Sequence, residues 1–222
     1  MSTQAAPAFV AVEVEEEEIA PATVPLFLPM EIGPVLLRLE EGRFSATDFE
    51  FFAAENPDLR LEMNKDGEII VMMPVGFTGS QRNAKLTARL VNWADEDGSG
   101  IAVEATAGFK LPNGAERSPD AAWVRRERCE EFTRAEREKF LPLCPDFVVE
   151  LRSRTDRLKT VKAKMKEYME NGAQLGWLID PLKKKVHIYR PGQPVEILDN
   201  PTEVSGEPLL PGFVLRLKGI LD

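Results

Sequence analysis

The chain has 222 residues, 43% of them hydrophobic, a net charge of -9 and a single histidine. That length supports one domain with a full core. One histidine excludes helical HExxH zinc sites, two-histidine iron sites and paired-histidine phosphotransfer.

The charge is uneven. Residues 1–41 hold eight acids and one base, Arg38, while the remainder is close to balance at -2. The acidic character therefore describes the first segment and does not argue against a nucleic-acid partner for the rest. Residues 1–41 are also rich in Ala, Pro, Val and Glu, the composition of a flexible leader, so one domain is expected over 42–222. No stretch is apolar for long enough to cross a membrane, and no basic-then-apolar signal peptide opens the chain. Cys129 and Cys144 lack CxxC spacing and imply neither a disulfide framework nor a zinc knuckle. These features together predict a cytoplasmic protein without a membrane partner.

In chain order, "SATDFEFFAAENPD" predicts a helix capped by Ser45 or Thr47 and ended by Pro57. "LRLEMNKDGEIIVMMP" predicts a hairpin turning at Lys65-Asp66-Gly67. "TGSQRNAKLTARLVNWADEDG" places Leu86, Leu90 and Trp93 at helical spacing. "GIAVEATAGFKLPNGAERSPDAAWV" reads as strands broken by Pro-Asn-Gly, the last beginning at Asp120. "TRAEREKFLPL" is a short polar helix and "PDFVVELRS" an apolar strand.

"TDRLKTVKAKMKEYMENG" is a helix with Thr155 or Asp156 as N-cap and Gly172 as its stop. "QLGWLIDP" and "KVHIYR" are strands joined by an Asp-Pro turn, with His187 facing solvent between Val186 and Ile188. "PGFVLRLKGIL" is a last strand or short helix. The alternation predicts an α/β or α+β fold with a central sheet. Trp93, Trp123 and Trp177 sit in apolar-periodic segments and are expected in the core.

The residues with chemical potential cluster around Cys144–Asp180. On the strand "FVVEL", Phe147, Val149 and Leu151 share one face, and Val148, Glu150 and Arg152 the other. A rigid strand end thus presents Glu150, and a buried carboxylate needs a base, hydrogen bonds or a metal. Asp120 opens another short strand. Two such acids can share a magnesium ion, which prefers oxygen donors and keeps several waters. A metal-activated water with a nearby lysine is the arrangement for phosphodiester cleavage. The competing readings are plain: Glu150 as a solvated acid paired with Arg152, and Asp120 as a turn residue after Pro119.

Pro119-Asp120 with Glu150-Leu151-Arg152 resembles the PD-(D/E)xK signature of restriction-endonuclease-like nucleases, with Arg in place of Lys. The ordered set "LEMNKDGEIIVMMP", "RSPDAAWV", "CPDFVVELRS", "KMKEY" and "LGWLIDP" resembles, more closely, the Uma-two family of bacterial restriction-endonuclease-like proteins, over roughly residues 45–217. The resemblance implies a restriction-endonuclease-like core: a central mixed sheet flanked by helices, an N-terminal hairpin and C-terminal strands. It implies Asp120 and Glu150 as ligands of Mg or Mn, Glu62 as an accessory acid, and DNA or structured nucleic acid as substrate. The alternative within the same fold is a non-catalytic binder of nucleic acid or protein.

Arg152 stays protonated and cannot act as a base. In this family the lysine lies on the following helix in a Lys-x-x-x-Tyr pattern, here Lys164 and Tyr168. Leu158, Val161, Met165 and Tyr168 form that helix's apolar stripe, with Lys162 and Lys164 on its two flanks. Spacing alone does not choose between them, and the family pattern favours Lys164. Tyr168 belongs to the core stripe, its hydroxyl within reach of the site. Glu62 reads equally well as an exposed hairpin acid. Where relatives carry a histidine, this chain has Gln81, Arg82 and Asn83. Residues 152–166 hold seven bases and one acid. A homodimer would set two such helices along one duplex, an arrangement that a duplex-cleaving monomer in ultracentrifugation would exclude.

Overall fold

A computed structural model of the chain describes residues 34–39 and 42–222. The acidic leader expected over 1–41 lies largely outside the described residues. Its described portion contains β1 (Val35–Leu37). Next comes α1 (Ala46–Glu55), where the Ser45 hydroxyl accepts from the Asp48 amide and the Asp48 carboxylate accepts from the Ser45 amide. This reciprocal box satisfies two donors that a helix start otherwise leaves orphaned.

The predicted hairpin is β2 (Arg60–Met63) and β3 (Ile69–Met72). Gly67 turns it at φ +71°, where a Cβ would stand 2.6 Å from the Phe44 carbonyl oxygen, so the position needs glycine. The long helix α2 (Phe77–Asp97) leads to β4 (Gly100–Glu104), β5 (Phe109–Lys110), β6 (Glu116–Arg117) and β7 (Ala121–Arg125). Two short helices follow, α3 (Arg126–Glu130) and α4 (Arg134–Arg137). Then come β8 (Phe147–Leu151), α5 (Leu158–Glu170), β9 (Leu175–Asp180) and β10 (Lys185–Tyr189). The chain closes with β11 (Glu196–Asp199), β12 (Glu203–Ser205) and β13 (Val214–Arg216).

The strands form a six-stranded sheet in the order β11-β10-β9-β8-β7-β4, a five-stranded sheet in the order β1-β3-β2-β6-β5, and the pair β12-β13. Only β8 and β9 run parallel in the larger sheet, because α5 carries the chain back between them. Alternation along β8 sends Phe147 and Val149 into a core shared with Leu86 and Leu90 of α2, Trp177 and Phe213. It sends Val148 the other way, against Met165 and Tyr168 of α5. Gly176 permits this close approach: a Cβ there would lie 2.5 Å from the Met165 methyl. A third core packs the inner face of the hairpin on Phe49 of α1. Trp123 and Trp177 are fully buried, as expected. Among the described residues no helix is long and apolar enough to cross a membrane.

Two local expectations are corrected. Helix α5 is capped by neither Thr155 nor Asp156; its N-cap is Arg157, without a side-chain cap. The Asp156 carboxylate accepts from the Ser153 amide at 2.7 Å instead, closing a turn just upstream. His187 does not face solvent: it is only 4% exposed. It stands opposite Leu178, on the sheet face that α5 covers. Strand β11, which carries no strong sequence signal, makes β10 an interior strand. Burial first, then Lys162, lowers the His187 pKa.

One buried acid, Glu116, has no hydrogen-bond partner on either carboxylate oxygen. Burial raises its pKa from the usual 4.5 to about 7, against the opposing pull of Lys110. The folded state therefore holds this proton more tightly than the unfolded chain. The penalty for ionisation is absent below 4.5, grows up to about 7 and stays constant above. Glu116→Gln is expected to stabilise the protein by about 1–2 kcal/mol at alkaline pH, after discounting for screening. Urea denaturation of the two proteins on either side of that window checks this; a gain that does not change with pH would contradict it.

Candidate active site

The sequence "FVVEL" forms an interior strand because its β-branched and aromatic side chains fit a sheet covered on both faces. Its register pairs Ala121 with Val149. One step further, the same antiparallel register sets Asp120 opposite Glu150, so both carboxylates leave the sheet on the same face. The Leu151 amide donates to Asp120 Oδ2 at 2.8 Å and fixes that acid against the strand carrying its neighbour. Arg60 approaches the other oxygen at 4.0 Å.

A third acid arrives from the smaller sheet. Leu61 and Met63 of β2 enter the core against α1, and alternation turns Glu62 the opposite way. Glu62 is 2% exposed. Its carboxylate accepts from the Ser118 amide at 3.0 Å, from Arg117 at 3.2 Å and from Lys164 Nζ at 2.7 Å. The Lys164 ammonium also lies 2.8 Å from Glu150 Oε1, bridging the two acids. The Tyr168 hydroxyl donates to the same Glu150 oxygen at 3.1 Å. Arg117 is held on its far side by Glu167 at 2.6 Å. A continuous line of charges thus runs from Glu167 through Arg117, Glu62 and Lys164 to Glu150.

The electrostatics follow from this crowding. Burial pushes the Glu150 carboxyl up to about 7, Asp120 and Glu62 add repulsion, and Lys164 opposes the rise. Burial likewise raises Asp120, with the Leu151 amide and Lys164 pulling the other way. For Glu62 burial is again the largest influence, yet Lys164, Arg117 and the Ser118 amide together outweigh it and hold this acid below its usual value. Burial would lower Lys164, but Glu150 and Glu62 overcome it and keep the ammonium charged. Tyr168 is raised well above its usual value by burial and by the neighbouring Glu150, so it serves as a hydrogen-bond donor.

Asp120, Glu150, Glu62 and Lys164 therefore converge on one cleft of about 1250 Å³, with Tyr168 buried behind Glu150. Two of the expected bases make no contact with these acids. Arg152 donates to buried Asp180 at 2.9 Å and to the Asp156 carbonyl at 3.2 Å, so it braces the strand-to-helix turn rather than pairing with Glu150. Asp180 also accepts from the Leu182 and Lys183 amides, as a turn former does. Lys162 lies on the other flank of α5, near His187. At the start of α2, Arg82 donates to the Asp222 carbonyl at 2.6 Å, and Asn83 keeps an unpaired side-chain oxygen.

Sequence reasoning gave no role to Arg117, the Ser118 amide or Glu167. Two weak signals existed: Arg117 and Ser118 immediately precede Pro119-Asp120, and Glu167 is three residues after Lys164, on the same helix face.

The donor set suits a hard cation. Buried Glu150 and half-buried Asp120 leave adjacent strand ends, and desolvation and repulsion disfavour their joint ionisation unless positive charge is nearby. Among the described residues no three His, Cys, Asp or Glu side chains form a closed metal-binding group. A cation held here would take two carboxylates and complete its shell with water, the habit of magnesium.

The fold has a counterpart among solved structures. The chain is similar to the crystal structure of "a putative nuclease belonging to DUF820" from Anabaena variabilis, with 23% identity and a TM-score of 0.64 over 72% of this chain and 89% of that one. That likeness shows a shared fold. A search of curated proteins finds no significant match. The sequence model of the Uma2 family, described as "Putative restriction endonuclease", matches residues 47–218, and the chain belongs to that family.

Proposed function

We propose that the protein is a divalent-metal-dependent endonuclease that hydrolyses phosphodiester bonds of DNA at the Asp120–Glu150–Lys164 cluster. The observation that carries this reading is the approach of Lys164 Nζ to Glu150 at 2.8 Å and to Glu62 at 2.7 Å, beside Asp120, in an open cleft. The buried carboxylates of Glu62 and Glu150 with a largely shielded lysine between them are costly to assemble for stability alone, and perturbed titratable groups gathered in a cleft mark functional sites.

Asp120 and Glu150 would hold magnesium or manganese, which supplies a more acidic water and polarises a phosphoryl oxygen. The chain's own groups have distinct tasks. Lys164 carries a positive charge to the place where the phosphate gains negative charge, and it is oriented by Glu62 rather than left to swing in solvent. Glu62, itself neutralised by Arg117, holds that ammonium without competing as a base. Tyr168 fixes the Glu150 carboxylate from the helix side. Arg117 and Glu167 hold Glu62 in turn.

The test is cleavage of supercoiled, linear duplex, single-stranded and branched DNA with magnesium or manganese, with chelator as control. Metal-dependent cutting is expected. Folded protein that cuts none of these yet binds nucleic acid would be a non-catalytic relative of the same fold, and the hydrolase reading would fall.

A further inference from the structure

The face of the smaller sheet that carries Glu62 also carries a row of apolar side chains. Register sets Leu36 opposite Ile70, and Ile70 opposite Glu62; the next row pairs Met72 with Arg60. The reverse face, with Leu61, Met63, Ile69 and Val71, is the one buried against α1. Leu36 therefore stays exposed, and Ile70 and Met72 are half-buried. Beyond β3 the chain continues this surface through Val75 and Phe77, which are 51% and 86% exposed. All of these side chains line the same cleft as Glu150.

The charge of that cleft is equally specific. Its acids slightly outnumber its bases. Most of the bases are engaged: Lys164 and Arg117 by acids, Arg152 by Asp180, Arg82 by the Asp222 carbonyl. Arg154, at the mouth, is exposed and makes no ion pair with another described residue.

A base-paired duplex turns its phosphates outward and keeps its base faces stacked inside. Proteins that grip it do so largely by neutralising many phosphates. This cleft lacks the positive charge for that, and its apolar wall would meet nothing apolar on a duplex. An unpaired strand differs on both counts: it exposes base faces, which pack on aromatic and apolar side chains, and it carries fewer phosphates per length. We infer that the cleft takes an unpaired, single-stranded segment of nucleic acid, its bases against Leu36, Ile70, Met72 and Phe77 and one phosphate at Asp120 and Glu150. The inference rests on the nuclease reading for its phosphate and on the sheet register for its bases.

The experiment is fluorescence anisotropy of the full chain with a short labelled single strand and with the same sequence as duplex, in calcium. The single strand is expected to bind at least about tenfold more tightly. Phe77→Ala is expected to weaken single-strand binding by about tenfold and leave duplex binding unchanged, and Phe77→Trp to preserve it, in line with stacking on an aromatic platform. Phe77 is exposed, so an unchanged melting temperature verifies the fold. Equal or tighter duplex binding, or a Phe77→Ala variant that binds single strands normally, overturns the inference while the cleavage assay still decides the nuclease reading. Failure to bind either form overturns it too, as does self-association that Phe77→Ala abolishes, which would assign the apolar face to a second copy of the chain.

Discussion

Replacing Glu150 by glutamine is expected to lower metal-dependent DNA cleavage by roughly a thousandfold, the scale of losing one charge-stabilising group at a reacting centre. The amide matches the carboxylate in volume, so the contact with Tyr168 survives. The Tyr168 hydroxyl retains an acceptor in the amide oxygen. What is lost is the negative charge set beside Asp120. The folded protein holds that charge at a disadvantage, since burial and the neighbouring acids raise the carboxyl to about 7. Glutamine removes this conflict, and the variant should melt no lower than the parent at pH about 8, where the parent acid is mostly ionised. Activity and stability thus separate, which a merely structural acid would not allow. Cleavage rates for the variant within about tenfold of the parent would remove Glu150 from the reaction.

Lys164→Met should harm both properties, and it carries the largest expected effect on stability. The ammonium bridges Glu62 and Glu150 and is almost wholly shielded from solvent. Methionine fills the space of the stem but leaves two buried carboxylates facing each other with only Arg117 nearby. Removing one partner of a buried charge network costs about 3–5 kcal/mol, or a melting temperature lower by roughly 10 °C for a chain of this size. Cleavage should fall by about 10²-fold or more. A second change, Glu62→Gln, removes one of the stranded acids and should restore part of the lost stability without restoring cleavage. Lys162→Ala should leave cleavage and melting near the parent values, because Lys162 faces His187 and not the acids. Melting curves and cleavage rates for the three variants check the assignment; the reverse pattern for Lys162 and Lys164 would place the site on the wrong flank of α5.

Much of the frame is written locally along the chain. The Ser45 cap, the Asp66-Gly67 turn, the apolar run of β8 and the Gly172 stop after α5 are local signals, fixed by backbone sterics and by hydrogen bonds within a few residues. The ordered motif set carried the family, and Asp120, Glu150 and the Lys164–Tyr168 pair were legible as candidates. The α5 cap was misread because Asp156 had a nearer donor in the Ser153 amide. His187 was misplaced because nothing in "KKKVHIYRPG" reveals that α5 will lie across that face and β11 along that edge.

Spacing along α5 leaves Lys162 and Lys164 equivalent, and only the tertiary structure shows Lys164 against Glu62 and Glu150, because the two flanks meet different parts of the sheet. Only it shows Arg152 paired with Asp180, 28 residues onward, and not with Glu150. It alone brought in Arg117 and Glu167, and it alone buried Glu62 between Arg117 and Lys164 instead of leaving it exposed on the hairpin. Local structure is encoded by neighbours along the chain. A buried charge network is encoded by which distant strands pair and in what register, and that is settled only when the cores close.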